Sequence, residues 1–548
     1  MKALHTFLFL SLLLVGVSCE QELVDNTASP CPSDDPSIIC PGEEQPACPA
    51  GASAGSADFS KFIALGSSYT AGFQAGALFT EGQDNSLPKL LSTQFACVGG
   101  GAFNQPTIGS TNGFNIFVTP NPIGTPPNLT VLGRFKLQGA TPRPTPQLAG
   151  VEAIPNPTLN PGFMYSGNKA ALNNFAVQAI LLRQILTDDA GDWTNPNPAL
   201  GFTPFYARFA STPGSSTILG DAASKGGTFF MFWQGMDDFM LHAAFGGDPT
   251  KAPLTPVAGG IGTGFESTYN YALVQLLSAN TLSKGVIATF PNIFAMPHFT
   301  SVAWNPVTMD QATATAANTG LAGYNAILDA LKGAPFNYSA ADVNARKIAF
   351  AAGANGFIIE DETLNDYGDE FDILQGAGAI TAAQRAALVP FEQVRMTKQG
   401  DIIPLATGSV LGTLAVPGNP ASVRGVGVPL GDQYALIPSE IVAIETARQA
   451  FNTTIRNAAS ANARLALADV DAAFTSFVTA KAAVSDGVTL TPNINPPTGI
   501  YSEDGLHPNS RGYAFIGNIF IDAINTKFGA SVPKIRLNKF SATGLPIP

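Results

Sequence analysis

Residues 61–72, KFIALGSSYTAG, contain the segment on which the fold assignment depends. The apolar run from Lys61 to Leu65 predicts a buried strand of a parallel sheet. It continues directly into a glycine and two serines, of which Ser68 is the candidate reactive residue. We therefore expect a tight strand-to-helix turn at the carboxyl end of this strand, the edge where open α/β sheets carry their chemistry.

Four further apolar runs of strand length follow along the chain, with helical patterns between or after them. They are residues 174–177, 228–233, 285–290 and 464–470. Alternating strands and helices predict a parallel sheet with helices on both faces. The expected fold class is α/β, a three-layer α/β/α arrangement with a roughly five-stranded parallel sheet and long loop insertions.

The spacing of the strand candidates predicts one elaborated domain at residues 59–548. The gaps between the first two and between the last two candidates are far longer than simple crossovers require. We therefore place insertions near residues 98–165 and 335–435, where Gly and Pro are frequent.

Residues 1–18 have the pattern of an export signal, with Lys2, an apolar run and small residues before Cys19. The segment that ends at Cys19 resembles a bacterial lipobox, which implies that cleavage leaves this cysteine as the new N-terminus and that it receives a lipid. An ordinary secretory signal beside a cysteine is the alternative. Residues 19–58, rich in Pro and acidic residues, are predicted to be a tether.

These features predict an exported lipoprotein of the cell envelope, anchored in the outer membrane of a Gram-negative bacterium. The membrane is its expected partner, through the lipid alone, because no later stretch has about 18 uninterrupted apolar residues. The formal net charge of −12 argues against nucleic acid as a partner. A hydrophobic content of 45% is enough for a sizeable core.

Four cysteines remain beside Cys19, namely Cys31, Cys40, Cys48 and Cys97. An oxidising compartment allows disulfides, and four cysteines permit three pairings, all of which stay open at this point. The spacings lack the paired C-x-x-C of a zinc site and no histidine lies nearby, so we expect neither a metal nor a cofactor.

The second candidate residue lies near the other end of the chain, where Asp504 precedes His507 by three residues. A carboxylate at this spacing can orient an imidazole through one nitrogen while the other faces a serine. His242 and His298 are the competitors, and we interpret each as a packed or surface residue. Asp238 lies four residues before His242, so that alternative remains open.

Four sequence blocks in the right order resemble the GDSL/SGNH hydrolase family, and more closely its bacterial lipoproteins. The blocks are residues 63–72, with Ser67 in place of the usual Asp; residues 174–179, with Ala179 at the glycine position; residues 235–238, with Asp237 at the asparagine position; and residues 504–508, which match without change. The final block is the most specific of the four.

The resemblance implies a role for each matching residue. Ser68 is the expected nucleophile, His507 its base and Asp504 the residue that orients the imidazole. The backbone N–H groups of Ser68 and Ala179 would face the oxyanion, together with Asp237.

Asp237 is the departure that matters most, because an ionised carboxylate has no hydrogen to donate and repels a developing negative charge. Three outcomes stay open. Asp237 is held protonated and donates; Gln178 or Gln234 takes its place; or the site is weak or inactive.

Two functions follow from these residues. The first is an extracytoplasmic serine ester hydrolase that acts on acyl esters of lipids or carbohydrates. The alternative is a catalytically weak or inactive SGNH-fold binding lipoprotein of the cell envelope, since a fold can persist after its chemistry is lost.

The lipid anchor predicts that the full-length protein partitions into detergent, because its membrane affinity comes from acyl chains alone. A Cys19→Ala variant should be released as a soluble or uncleaved form. Phase partitioning and mass spectrometry of the N-terminal peptide check both points. Unmodified wild-type chain free in the medium would refute the anchor.

Overall fold

A computed structural model describes residues 48–119, 128–138, 143–146, 162–198 and 201–542. The predicted signal at 1–18, Cys19, Cys31, Cys40 and most of the predicted tether lie outside the described residues.

Fourteen strands lie within the described part of the chain: β1 (Phe62–Gly66), β2 (Asn115–Thr119), β3 (Asn128–Leu132), β4 (Phe135–Gln138), β5 (Arg143–Pro146), β6 (Phe229–Trp233), β7 (Lys284–Ala288), β8 (Val307–Met309), β9 (Gly353–Asn355), β10 (Ile358–Glu360), β11 (Val394–Met396), β12 (Leu465–Ala468), β13 (Ala483–Ser485) and β14 (Val488–Leu490).

The same residues contain fifteen α-helices: α1 (Ser68–Ala71), α2 (Thr80–Asp84), α3 (Leu87–Phe95), α4 (Pro204–Ala207), α5 (Ile218–Ala223), α6 (Asp237–Ala244), α7 (Phe265–Ser278), α8 (Pro297–Thr300), α9 (Gln311–Ala330), α10 (Ala340–Arg346), α11 (Gly368–Gly376), α12 (Ala382–Leu388), α13 (Pro438–Ala461), α14 (Val470–Ala480) and α15 (Ser510–Phe528).

The central sheet has four parallel strands in the order β1-β6-β7-β12. Every residue of β1 and β6 is buried, as expected for strands covered on both faces. Their continuous apolar sequences reflect this burial, because neither face meets water. The strands predicted at 61–65, 228–233, 285–290 and 464–470 are therefore confirmed, with shifted ends.

The predicted fifth strand, residues 174–177, is not a strand in the structure. This segment runs beside β1, where Asn174 forms a single parallel bridge with Ala64. The N–H of Phe175 donates to the Ala64 carbonyl at 2.8 Å. The Asn174 side chain accepts the N–H of Ala176 at 3.0 Å, and a local turn of this kind competes with a regular ladder.

Two groups of helices cover the sheet. In one group α3 and α15 pack against each other, and α15 also contacts β7 and β12. In the other group α7 packs against α5 and α13, and these two contact β1 and β12 respectively. The arrangement is α/β and is compatible with a three-layer α/β/α fold.

The chain between α8 and α13 has its own apolar interior. Two hydrophobic clusters, separate from the main core, draw their buried residues from the range 309–437. Leu321 and Leu328 of α9 belong to the larger cluster. This part of the chain is thus longer than the insertion predicted near 335–435. The region predicted as the first insertion contains the hairpins β2-β3 and β4-β5.

The described chain begins with residues that are fastened to the domain. Cys48 forms a disulfide with Cys97, just after α3. The N–H of Ser56 donates to the carbonyl of Phe528 at the end of α15 (2.9 Å), and the N–H of Ser531 donates to the carbonyl of Ser53 (2.8 Å). Residues 48–58, placed in the tether by the sequence, therefore contact the folded part.

Among the described residues, no helix combines the length and the apolar composition that crossing a membrane requires.

Replacing Cys48 and Cys97 together with Ser should destabilise the domain. The two cysteines are 49 residues apart. Closing a loop of this size lowers the entropy of the unfolded chain and so raises its free energy by about 4 kcal/mol at 25 °C. Urea unfolding should show a lower midpoint for the double variant, and non-reducing peptide maps of the wild type should contain the linked pair. Equal midpoints would show that the bond contributes nothing.

Candidate functional site

Ser68 begins α1 directly after β1, at the carboxyl end of the central sheet. Close packing shapes the turn, since a Cβ on Gly66 would lie 2.6 Å from the carbonyl oxygen of Trp233. Only a glycine fits there without moving β6. The sequence prediction of a serine on a tight strand-to-helix turn agrees with this geometry.

The Ser68 hydroxyl is held by two groups from distant parts of the chain. Its Oγ donates to the Asp237 carboxylate, 3.1 Å from Oδ2 and 3.3 Å from Oδ1. The backbone N–H of Ser68 also points to Asp237 Oδ2, at 3.3 Å. The N–H of Ala179 donates to Ser68 Oγ at 2.9 Å. The three groups expected around an oxyanion therefore meet at the serine.

Ala179 has a backbone conformation that favours glycine. Its φ is +53°, in the left-handed region that costs an L-residue about 1–2 kcal/mol. This conformation directs the Ala179 N–H toward Ser68. The glycine expected at this position by family resemblance would adopt it without that cost.

Asp504 and His507 form the pair that the sequence spacing predicted. His507 Nδ1 lies 2.9 Å from Asp504 Oδ2, which also accepts the N–H of Gly76 at 2.8 Å. The other carboxylate oxygen accepts the N–H groups of Leu506 and His507 and the hydroxyl of Ser502. Burial alone would raise the pKa of Asp504, but the interaction with His507 and these hydrogen bonds lower it to about 2.

The hydrogen bonds of the described residues do not join His507 to Ser68, but His507 interacts electrostatically with Asp237, which the Ser68 hydroxyl contacts. Its ring packs on Phe73 and Tyr69, with centroids 4.8 and 5.5 Å apart. Its Nε2 is buried and has no hydrogen-bond partner among the described residues. That nitrogen, with Nδ1 already committed to Asp504, is the one able to accept a proton.

The side chains of the site are buried: Ser68, Asp237 and His507 are 2%, 1% and 6% exposed. The first insertion reaches this region, because the N–H of Phe135 donates to the carbonyl of Ala75 at 2.6 Å, one residue before Gly76.

The protonation state of Asp237 decides whether its carboxyl group can donate a hydrogen bond or only accept one. Burial raises the pKa of its carboxyl group, and hydrogen bonds from Ser67 and Ser68 together with the interaction with His507 oppose part of that rise. Its neighbour Asp238 is also buried, which raises the pKa of that carboxyl to about 7. Asp238 accepts the N–H of Leu182 at 2.7 Å and so ties the Ala179 segment to α6.

The two glutamines considered as substitute donors are both buried. Gln234 Nε2 donates to the carbonyl of Ile180 at 2.7 Å, so it supports the Ala179 segment. Neither the nitrogen nor the oxygen of the Gln178 amide has a partner among the described residues. Of the two glutamines, Gln178 is therefore the one whose amide nitrogen makes no hydrogen bond to a described residue.

The other histidines have different surroundings. His242 Nδ1 lies 2.7 Å from the carbonyl of Ala252, and Asp238 is hydrogen-bonded to Leu182 and Thr255. The alternative pair Asp238 and His242 is therefore not formed. His298, interpreted from the sequence as a packed or surface residue, is buried, and its imidazole Nδ1 lies 3.1 Å from the main-chain carbonyl oxygen of Asp504. No sequence signal links two residues 206 positions apart.

One group of carboxylates has the spacing of a cation site. Among the described residues, Glu362, Asp432 and Glu440 offer oxygens within 4.8 Å of one another. Burial and mutual repulsion raise the pKa of Asp432 to about 7 and that of Glu440 to about 8. The group lies where the inserted part meets α13, and Glu362 is exposed.

In comparisons with known proteins, no family model, no curated protein and no solved structure matches the chain. The functional assignment therefore depends on the site geometry and the sequence blocks.

Replacing Asp237 with Asn tests whether the carboxyl group donates to an oxyanion. Because burial raises the pKa of Asp237, its neutral form is lost only as pH rises through that pKa, and wild-type activity should fall there. Asp237→Asn should remove the alkaline limb and raise the rate there roughly 100-fold, since one donor contributes about 3 kcal/mol.

Folding offers a second readout of the same variant. An acid whose pKa is higher in the folded protein makes that state bind more protons, so stability falls as pH rises above about 4, the pKa of an unfolded Asp. Asp238, Asp432 and Glu440 have raised pKa values too, so the urea midpoints of Asp237→Asn should still fall with rising pH, but less than those of the wild type. Identical pH profiles of turnover in both proteins would contradict the donor role, and activity in the variant alone would favour the inactive-lipoprotein alternative.

Proposed function

We propose that the protein is an extracytoplasmic serine ester hydrolase of the GDSL/SGNH type, acting on acyl esters of lipids or carbohydrates. The observation that supports this most is the 2.9 Å contact between Asp504 and His507, which leaves His507 Nε2 buried and without a described partner. Ser68 lies nearby, at the edge of a parallel sheet where such folds carry their chemistry.

The proposed reaction uses these three side chains in two steps. His507 Nε2 takes the Ser68 hydroxyl proton as Oγ attacks the ester carbonyl, and the same proton then goes to the departing alcohol. This leaves the acyl group bound to Ser68. Water, deprotonated by His507, releases the carboxylic acid and returns the proton to Ser68. Asp504 stays ionised throughout, consistent with its pKa of about 2.

The negative charge of each tetrahedral intermediate requires hydrogen-bond donors. The N–H of Ala179 already lies 2.9 Å from Ser68 Oγ, and the N–H of Ser68 faces Asp237. For both to serve the oxyanion, Asp237 must give up its hydrogen bonds from Ser68. A neutral Asp237 does this at least cost and supplies a third donor.

A second candidate is a weak or inactive binding lipoprotein with the same fold. The specific observation that favours it is the Ser68 hydroxyl, which donates to Asp237 and not to His507. An ionised Asp237 would hold the nucleophile and repel an oxyanion. The two candidates therefore differ in whether Asp237 is neutral during turnover.

We also propose that the protein acts in the cell envelope, attached through a lipid on Cys19. The disulfide between Cys48 and Cys97 supports export, because such bonds persist in oxidising compartments.

A serine-reactive fluorophosphonate probe tests the proposed function. It should label the wild type at Ser68, and Ser68→Ala should lose both labelling and hydrolysis of short p-nitrophenyl esters while its thermal melt stays nearly unchanged. Ser283→Ala is a matched control: Ser283 is equally buried but lies before β7, at the opposite end of the sheet.

Three outcomes separate the candidates. Residual activity of Ser68→Ala above about a tenth of wild type would exclude Ser68 as the nucleophile. Loss of activity in Ser283→Ala would mean that removing any buried serine hydroxyl impairs the protein, so that the loss in Ser68→Ala would not identify a nucleophile. A folded wild type that neither labels nor hydrolyses any ester favours the binding lipoprotein.

A further inference from the structure

Helix α8 lies against the loop that carries Asp504 and His507. The backbone N–H of His298 donates to the carbonyl of Gly505 at 3.0 Å. The imidazole Nδ1 of His298 lies 3.1 Å from the carbonyl oxygen of Asp504. One residue of α8 therefore holds two consecutive carbonyl groups of this loop.

The contact defines the tautomer of His298. A carbonyl oxygen only accepts hydrogen bonds, so Nδ1 must carry the proton. Burial lowers the pKa of His298; the hydrogen bond to Asp504 and the charge of its carboxylate oppose part of this effect, and the net lowering favours the neutral ring. In a neutral ring protonated at Nδ1, the other nitrogen Nε2 is an acceptor.

The backbone of the loop at Gly505 lies so close to α8 that no side chain fits between them. Gly505 has a φ of +70°, and a Cβ at this position would lie 2.7 Å from the backbone nitrogen of His298. Any other residue would push α8 and the loop apart. The glycine thus permits the two hydrogen bonds from His298.

Asp504 is consequently held from two sides. Its carboxylate is occupied by His507, Gly76, Ser502 and the loop backbone. Its main-chain carbonyl faces α8 and receives the imidazole N–H of His298. A rotation of the Asp504 backbone would move the carboxylate and with it the His507 ring.

We propose that His298 is a positioning residue of the catalytic loop, whose Nδ1–H fixes the Asp504 backbone so that His507 Nε2 is directed at Ser68. The role rests on the proposed hydrolase function. His298 does not contact substrate in this mechanism; it acts through Asp504 and His507.

Packing alone does not account for a histidine at this position. His298 Nε2 is buried without a hydrogen-bond partner among the described residues, and an unpaired buried acceptor costs free energy that an apolar side chain would not. The ring stacks edge-on against Phe299, 4.9 Å between centroids, a contact that Phe or Leu could also make. The Nδ1–H donor is what those residues lack.

Three substitutions separate the donor from the volume of the ring. In His298→Asn the amide nitrogen takes the place of Nδ1, whereas in His298→Gln it lies near the place of Nε2. We expect His298→Asn to keep kcat within about threefold of wild type, and His298→Gln and His298→Ala to lower kcat roughly 10- to 100-fold with KM nearly unchanged, as displaced catalytic groups do. His242→Ala, another buried histidine bonded to a carbonyl, is the matched control and should keep wild-type kcat.

A proton NMR signal tests the positioning without any turnover. The Nδ1–H of His507 in its bond to Asp504 should give a low-field resonance, present in wild type, His298→Asn and His242→Ala, and broadened or lost in His298→Gln and His298→Ala. If the wild type hydrolyses no ester, the proposed function fails and this resonance alone decides the role of His298.

Equal kcat values for the Asn and Gln variants would overturn the proposal, as would an unchanged low-field resonance in His298→Gln. Should His298→Ala not fold, the Asn and Gln variants, which are both amides, still decide between the two interpretations.

Discussion

The parallel register of β1 against β6 is the constraint on which the candidate site depends. It sets Gly66 opposite Trp233, so the segments after both strands leave the sheet at the same edge. Ser68 and Asp237 are 169 residues apart in the chain, yet their side chains touch there. A slip of one residue would turn the buried side chains of β1 to the other face. The packing of the apolar core thus holds Ser68 and Asp237 in contact, which the hydrogen bonds between these two residues could not achieve by themselves.

The sequence predicted the central strands because burial on both faces demands uninterrupted apolar runs, which β1 and β6 have throughout and β7 has after Lys284. The same rule failed at residues 174–177, since composition alone does not distinguish a strand from an extended segment at a sheet edge. There a side-chain turn at Asn174 competes with the ladder. The sequence placed the second insertion near residues 335–435, whereas its separate apolar clusters begin at Met309. The sequence of α9 does not indicate which hydrophobic core this helix packs against.

The candidate site divides in the same way between local and distant contacts. The bond between Asp504 and His507 was predictable, since three residues of separation allow one loop to form it. The groups that hold Asp504 from elsewhere, Gly76 and His298, come from distant segments and leave no local pattern. The direction of the Ser68 hydroxyl was equally unpredictable from the sequence, because it depends on the carboxylate of Asp237, which follows another strand, β6.

The disulfide between Cys48 and Cys97 also has a mechanical consequence. A force on the chain before Cys48 reaches the domain along two covalent paths, the disulfide to Cys97 just after α3 and the backbone of residues 49–61 that leads to β1. Strand β1 is held to β6 by noncovalent contacts only, namely the hydrogen bonds of the ladder and side-chain packing such as that of Phe62 on Phe229. The cross-link therefore diverts tension from the strand that carries Ser68, and the edge of the sheet keeps its geometry while the chain ahead of it is under load.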